Sequence, residues 1–137
     1  MRLATLFLAF APAMVSVSHA ASWQEYGGTP DQSKYLVTKD ITKQNVSKLA
    51  VAWTYPTGDE RAYQFSPVIV DGVMYVLAKN SSLVAIDVLT HQELWIHANL
   101  RGITNRGINF WQSKDGKESR ILFTGNHSLR AQQIPKT

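Results

Sequence analysis

The histidines and carboxylates are the residues whose chemistry could support a metal site or acid–base catalysis. No pair among His91, His97 and His127 has the spacing of a zinc site, and each falls in a predicted turn or at a predicted strand end. Asp59–Glu60 and Asp115 also fall in predicted turns, so we do not expect a catalytic carboxylate pair. The chain has no Cys, which excludes thiolate ligands and disulfides. We therefore expect surface histidines, no metal site and no catalytic residue in this chain.

The length and composition of the chain indicate what size and kind of fold can position these residues. The chain has 137 residues, of which 45% are hydrophobic and 18% charged, a composition typical of one globular domain at most. The formal net charge is +4, but the basic residues are scattered along the chain. A nucleic-acid surface needs clustered basic residues, so we expect no nucleic-acid partner.

The first twenty residues have the pattern of a secretory signal. Met1-Arg2 gives a positive start, Leu3 to Val15 is almost wholly apolar, and Ser18-His19-Ala20 offers small residues for cleavage after Ala20. A membrane anchor is the alternative. The apolar run of 13 residues is shorter than the roughly 20 that span a bilayer, so we expect no stable membrane anchor. The pattern predicts a bacterial periplasmic or secreted protein.

Residues 66–97 predict a meander of four short antiparallel strands. Asp71-Gly72 is a preferred two-residue hairpin turn, because both of its positions need a positive φ. One helical turn is predicted within residues 38–49. The predicted strands are 66–70, 73–77, 83–87 and 93–97.

The strand pattern then repeats. A shift of 46 residues places Asn80 on Asn126 and Ala85 on Ala131. A four-stranded unit repeating at this length is typical of a β-propeller blade, with an antiparallel sandwich as the alternative. The second unit is predicted to contain strands 107–111, 120–124 and 128–132.

One motif carries a family resemblance. Ala85-x-Asp87-x-x-Thr90-x-x-x-x-Trp95 resembles the tryptophan-docking repeat of quinoprotein dehydrogenases, which use pyrroloquinoline quinone (PQQ). In that family each indole stacks between neighbouring blades. His91 occupies the position of the family's Gly, so a distorted turn is predicted. The second copy has Gln133 in place of the Asp.

Further segments resemble the same family over residues 23–131. They are Trp23-x-x-Tyr26-Gly27-Gly28, the stretch 41–58, the stretch 64–76, and Arg106-Gly107-x-x-x-Trp111.

The resemblance implies an all-β fold. It is an incomplete β-propeller, with about one and a half four-stranded antiparallel blades of an eight-bladed ring. The implied division is a signal peptide at 1–20 followed by the propeller part at 21–137. Within the latter we expect an N-terminal segment at 21–58, a blade at 62–98 and a partial blade at 104–137.

The resemblance also implies two cofactor-binding residues. Arg106 matches the family's cofactor-contacting Arg, and a guanidinium suits the carboxylates and quinone oxygens of PQQ. Gln64 stands where the family often has Glu. The alternatives are a solvated loop charge at Arg106 and a strand-edge residue at Gln64. Leu100-Arg101 replaces the paired cysteines found in some relatives.

The implied activity is that of a periplasmic PQQ-dependent dehydrogenase. It would oxidise a sugar, polyol or alcohol and pass electrons to a respiratory acceptor. In the family, the catalytic Asp and the calcium ligands lie on later blades, so we expect this chain alone to be inactive and marginally stable. A non-enzymatic propeller that serves as a protein-binding scaffold is the alternative.

Overall fold

The computed structural model describes residues 22–60 and 62–134, apart from the side chains of residues 105 and 106. The predicted signal peptide lies outside the described residues. The described chain is all-β apart from one 3₁₀ turn at Val46–Lys48, where a helical turn was predicted. None of its helices is long and apolar enough to cross a membrane. The strands are β1 Val68–Val70, β2 Val73–Ala78, β3 Ser82–Asp87, β4 Glu93–His97, β5 Ile103–Gln112, β6 Ser119–Gly125 and β7 Ser128–Gln133.

The first sheet is the predicted meander, with its antiparallel strands in the order β1-β2-β3-β4. Asp71 and Gly72 have φ values of 49° and 77°, as the hairpin between β1 and β2 requires. Strand β4 matches the predicted bounds, whereas β1 begins two residues after the predicted start at Ser66. Pro67 is one of the two predicted strand residues that precede β1, and it has no N–H to donate to the strand pairing.

The second sheet has the order β5-β6-β7 within the described residues. Its first strand begins at Ile103, earlier than the predicted start at Gly107. Ile103 pairs with Gly125 and Ile108 pairs with Phe123, so residues 104–107 stand opposite Thr124 alone. This large bulge breaks the two-residue alternation of the strand, so the sequence pattern did not predict the first part of β5.

Strand β3 is buried on both of its faces. Leu83 and Ala85 belong to a core cluster that also includes Ile121 and Phe123 of the second sheet. Val84 and Ile86 point the other way, into a cluster against which Trp53 of the N-terminal segment packs. The blade is therefore covered on one face by the next sheet and on the other by the N-terminal segment.

The N-terminal segment is fixed to the first sheet at several points. Trp23 pairs with Ile69 of β1 through two backbone hydrogen bonds, of 2.9 and 2.8 Å between N and O. Farther along, Lys79 N donates to Thr57 O at 2.8 Å. The segment thus runs from the free edge of β1 to the turn after β2.

Candidate cofactor-binding site

The docking turn between β3 and β4 is closed around Asp87. Its Oδ1 accepts hydrogen bonds from Leu89 N at 2.9 Å and Thr90 N at 2.7 Å. These bonds, the Thr90 bond first, lower the pKa of Asp87. His91 adopts a φ of 62° and its N–H donates to Asp87 O at 2.8 Å. The predicted distortion was wrong: His91 takes the left-handed conformation that Gly would take. The irregularity lies instead in β4, where Leu94 is an extra residue opposite Ala85 and Ile86.

A tryptophan from the N-terminal segment docks on this turn. The rings of Trp53 and His91 stack, with centroids 4.7 Å apart and planes 24° apart. Nearby, Tyr55 Oη donates to Glu93 Oε1 at 2.8 Å, and Lys79 forms an ion pair with the same carboxylate. The segment is therefore held on the blade by an aromatic stack and a small polar network.

The motif tryptophan, Trp95, lies on the face of the first sheet that packs against the second. It is half-buried, packs on the shared core and lies 5.9 Å from the Tyr75 ring between centroids. It lines one groove with His97 and Gln132, whose Nδ1 and Oε1 lie 2.5 Å apart. Trp95 thus lies beside β7, the strand that carries Gln133 of the second copy of the motif.

Gln64 lies in the connection that leads into β1. Its side chain is exposed, between the half-buried Tyr63 and Phe65. Tyr63 Oη donates to Asp59 Oδ2 at 2.6 Å, and Asp59 Oδ1 accepts a bond from Asn80 N at 2.5 Å. Asp59 lies outside the strands, as the predicted turn position implies, and it also links the connection to the turn between β2 and β3.

Arg106 lies in the bulge of β5, and its side chain is outside the described part of the structure. The next residue, Gly107, has a φ of 118°, and a Cβ at that position would lie 3.0 Å from Phe65 Cβ. Glycine at 107 therefore allows the chain at Phe65 to approach β5 closely. Gln64 and Arg106 are each next in sequence to one member of this contact.

The chemistry of this residue pair fits an anionic ligand rich in carboxylates and carbonyl oxygens. A guanidinium donates parallel hydrogen bonds to a carboxylate, and an exposed carboxamide adds neutral donors. The carboxylate of Asp59, which lies near Gln64 in sequence, already accepts two hydrogen bonds. The sequence could not show the Phe65–Gly107 contact, because the two residues belong to different sheets and no local pattern links them.

The histidines do not assemble into a metal centre in the described structure. His91 stacks on Trp53, His97 bonds with Gln132, and His127 is exposed in the turn before β7. Within the described ranges, no three His, Cys, Asp or Glu side chains come together as a possible metal site.

The strand order, the docking contacts and the shared core define a partial β-propeller, which contains one four-stranded blade and part of the next. The chain matches the PQQ family described as "Glucose/ethanol/alcohol dehydrogenase, beta-propeller domain" over residues 23–133, and it belongs to that family. The predicted family and fold class are thereby confirmed.

Individual relatives agree with this assignment. The chain is 32% identical over 106 residues to the dehydrogenase subunit of the quinone alcohol dehydrogenase of Gluconobacter oxydans, covering 70% of this chain and 14% of the relative. It is 29% identical over 113 residues to quinoprotein glucose dehydrogenase A of Acinetobacter calcoaceticus, covering 72% and 14%. The chain thus spans about one seventh of the length of these relatives.

A solved structure shows the same fold. The crystal structure of quinohemoprotein alcohol dehydrogenase from Comamonas testosteroni superposes with a TM-score of 0.59 at 22% identity. The match covers 85% of this chain and 19% of that chain. Its extent shows that the two sheets are arranged as they are in a propeller of this class.

Proposed function

We propose that this chain forms part of the PQQ-binding site of a periplasmic dehydrogenase that oxidises an alcohol, polyol or sugar. Electrons would pass to a respiratory acceptor. The observation that supports the proposal is the close approach of Phe65 to Gly107, because these two residues are next in sequence to Gln64 and Arg106. Family membership and the names of the relatives, which include alcohol and glucose dehydrogenases, support the reaction class.

Each of the two residues has a distinct part in binding. The Arg106 guanidinium donates to a carboxylate or to quinone oxygens, and its charge offsets that of the anionic cofactor. The Gln64 carboxamide adds hydrogen bonds without charge. When bound, PQQ supplies the two-electron oxidation of the substrate hydroxyl. The calcium ligands and the catalytic aspartate would lie on other blades of the ring. This chain alone therefore binds PQQ without catalysing the oxidation.

Equilibrium dialysis of the folded chain against PQQ tests the binding role. We expect saturable binding that the Arg106→Ala variant weakens at least about tenfold, since a charge-assisted bond is lost. The Gln64→Ala variant should weaken binding less. Lys114→Ala removes an exposed positive charge from a turn and is the charge-matched control. A folded chain that fails to bind PQQ, or that binds equally well without Arg106, contradicts the proposal.

A dye-reduction assay tests the division of labour. With PQQ, calcium and either ethanol or glucose, the chain alone is expected to reduce no dye above the rate of the quinone in buffer. Robust, protein-dependent reduction would show that a catalytic base lies within this chain, and the proposed division would then be wrong.

A further inference from the structure

We propose that Asp59 and Tyr63 are positioning residues that set the place of Gln64 and Phe65 against the strand bearing Arg106. The PQQ part of this inference rests on the proposed function, whereas the structural coupling does not. Neither residue needs to touch the cofactor. Their effect passes through the Phe65–Gly107 contact.

Asp59 fixes one end of the connection to the first sheet. Both of its carboxylate oxygens are engaged, Oδ1 by Asn80 N at 2.5 Å and Oδ2 by Tyr63 Oη at 2.6 Å. Asn80 lies in the tight turn between β2 and β3, with a φ of 57°. That turn joins two buried strands, so its position is fixed. Asp59 is bonded to the turn and therefore restrains the position of Tyr63.

Tyr63 then restrains the aromatic ring on the other side of Gln64. The rings of Tyr63 and Phe65 meet edge to face, with centroids 5.5 Å apart and planes 81° apart. Phe65 in turn packs where a Cβ at Gly107 would lie 3.0 Å from its own Cβ. Gln64 therefore stands between two restrained neighbours, and a shift at Tyr63 moves both Gln64 and the contact with β5.

The residues form one chain of contacts from the first sheet to the second. Hydrogen bonds of a carboxylate are stronger than neutral ones, so loss of the Tyr63 hydroxyl releases the ring from Asp59. The Tyr63→Phe variant keeps the ring and its packing volume. It therefore tests the bond and not the bulk of the side chain.

Amide NMR spectra of the chain, combined with dialysis against PQQ, test the inference. We expect Tyr63→Phe to shift the backbone amide signal of Gly107 and the side-chain amide signals of Gln64, and to weaken PQQ binding about tenfold. Tyr55→Phe is the matched control, because it removes a tyrosine–carboxylate bond of 2.8 Å from the N-terminal segment that precedes Tyr63. It should leave both readouts unchanged.

Asp59 supplies a second pair of variants. Asp59→Asn keeps the side-chain volume and one acceptor oxygen for Asn80 N, and its amide can donate to Tyr63 Oη. It is therefore expected to restore most of what Asp59→Ala loses, which separates positioning from unfolding. Unmoved Gly107 and Gln64 signals in the Tyr63→Phe chain would overturn the inference. So would moved signals with unchanged PQQ affinity. A wild-type chain that does not bind PQQ, but whose Gly107 signal moves in Tyr63→Phe, would overturn the proposed function and support the structural coupling.

Discussion

The imidazole of His91 and the indole of Trp53 stack, with ring centroids 4.7 Å apart, at a position where His91 also holds a φ of 62°. A left-handed conformation costs a residue with a Cβ roughly 1–2 kcal/mol. An aromatic pair contributes about 0.5–1.5 kcal/mol beyond its buried area. The two effects are similar in size. The stack with Trp53 therefore offsets the cost of the left-handed backbone conformation, which a Gly at this position would not bear.

This balance predicts an order of stability among His91 variants. His91→Ala should lower the free energy of unfolding by about 1 kcal/mol, because the stack is lost and the backbone cost remains. His91→Gly should lower it less, since glycine removes the backbone cost. Urea denaturation measures both.

His127 provides the matched control for His91. It has the same φ of 62° and is exposed in the turn between β6 and β7. His127→Gly should therefore be neutral or stabilising, and His127→Ala neutral. Equal stability of the His91→Ala and wild-type chains would show that the stack contributes nothing.

The glycines at 107 and 72 should differ in their tolerance of a side chain. Gly72 has a φ of 77° and no atom within 4 Å of a Cβ, so Gly72→Ala should cost about 1 kcal/mol. Gly107→Ala meets Phe65 Cβ at 3.0 Å in addition to an unfavourable φ of 118°. Its cost should be about 2–3 kcal/mol. Thermal unfolding compares the two, and equal losses would contradict the close approach at Phe65.

Stability should fall at alkaline pH through Tyr75. Burial, with a smaller contribution from the negative charge of Asp71, raises the pKa of Tyr75 from 10.0 to about 12. The unfolded chain releases this proton at lower pH than the folded chain. The stabilisation is therefore complete below about pH 10 and is lost as the pH rises from about 10 to about 12.

Urea denaturation across this pH range checks the prediction. Burial also raises the pKa of Tyr55, so Tyr75→Phe should make the alkaline decline shallower without removing it. Tyr35→Phe, at a position with 69% exposure, should keep the wild-type profile. An unchanged slope in Tyr75→Phe would contradict the assignment to this residue.

The two sheets should lose protection together when their shared core is weakened. Ile121 of β6 is fully buried in a cluster with Leu83 of β3, so Ile121→Val should cost about 1 kcal/mol. Hydrogen exchange of β2 and β6 amides should accelerate by the same factor. Leu129→Ala, at a residue 70% exposed, should accelerate neither. Acceleration confined to β6 would show that the sheets unfold independently.

The regular part of the fold could be predicted from local chemistry. Asp71-Gly72 and the alternating strands around it indicate a hairpin because side-chain period and turn conformation are both local properties. The start of β5 could not be predicted in this way. Its bulge at residues 104–107 depends on pairing with Thr124 in another strand.

The candidate site, like the fold, could be predicted only in part from the sequence. Gln64 and Arg106 could be chosen from the resemblance to a family, and their sequence neighbours Phe65 and Gly107 approach each other closely in the structure. The structural role of Asp59 could not be predicted, because a carboxylate in a turn is ordinarily solvated. Its partners become visible once the turn at Asn80 is folded against it.

The bulge in β5 also determines how this region can vary in length. Residues 104–107 stand opposite Thr124 alone, while the ladder from Ile108 onward keeps its regular register with β6. Addition or removal of a residue within the bulge would change the reach of Arg106 and leave the Phe110–Ile121 pairing in place. The geometry of this edge of the candidate site can therefore diverge by insertion or deletion while the paired part of β5 and β6 keeps its register.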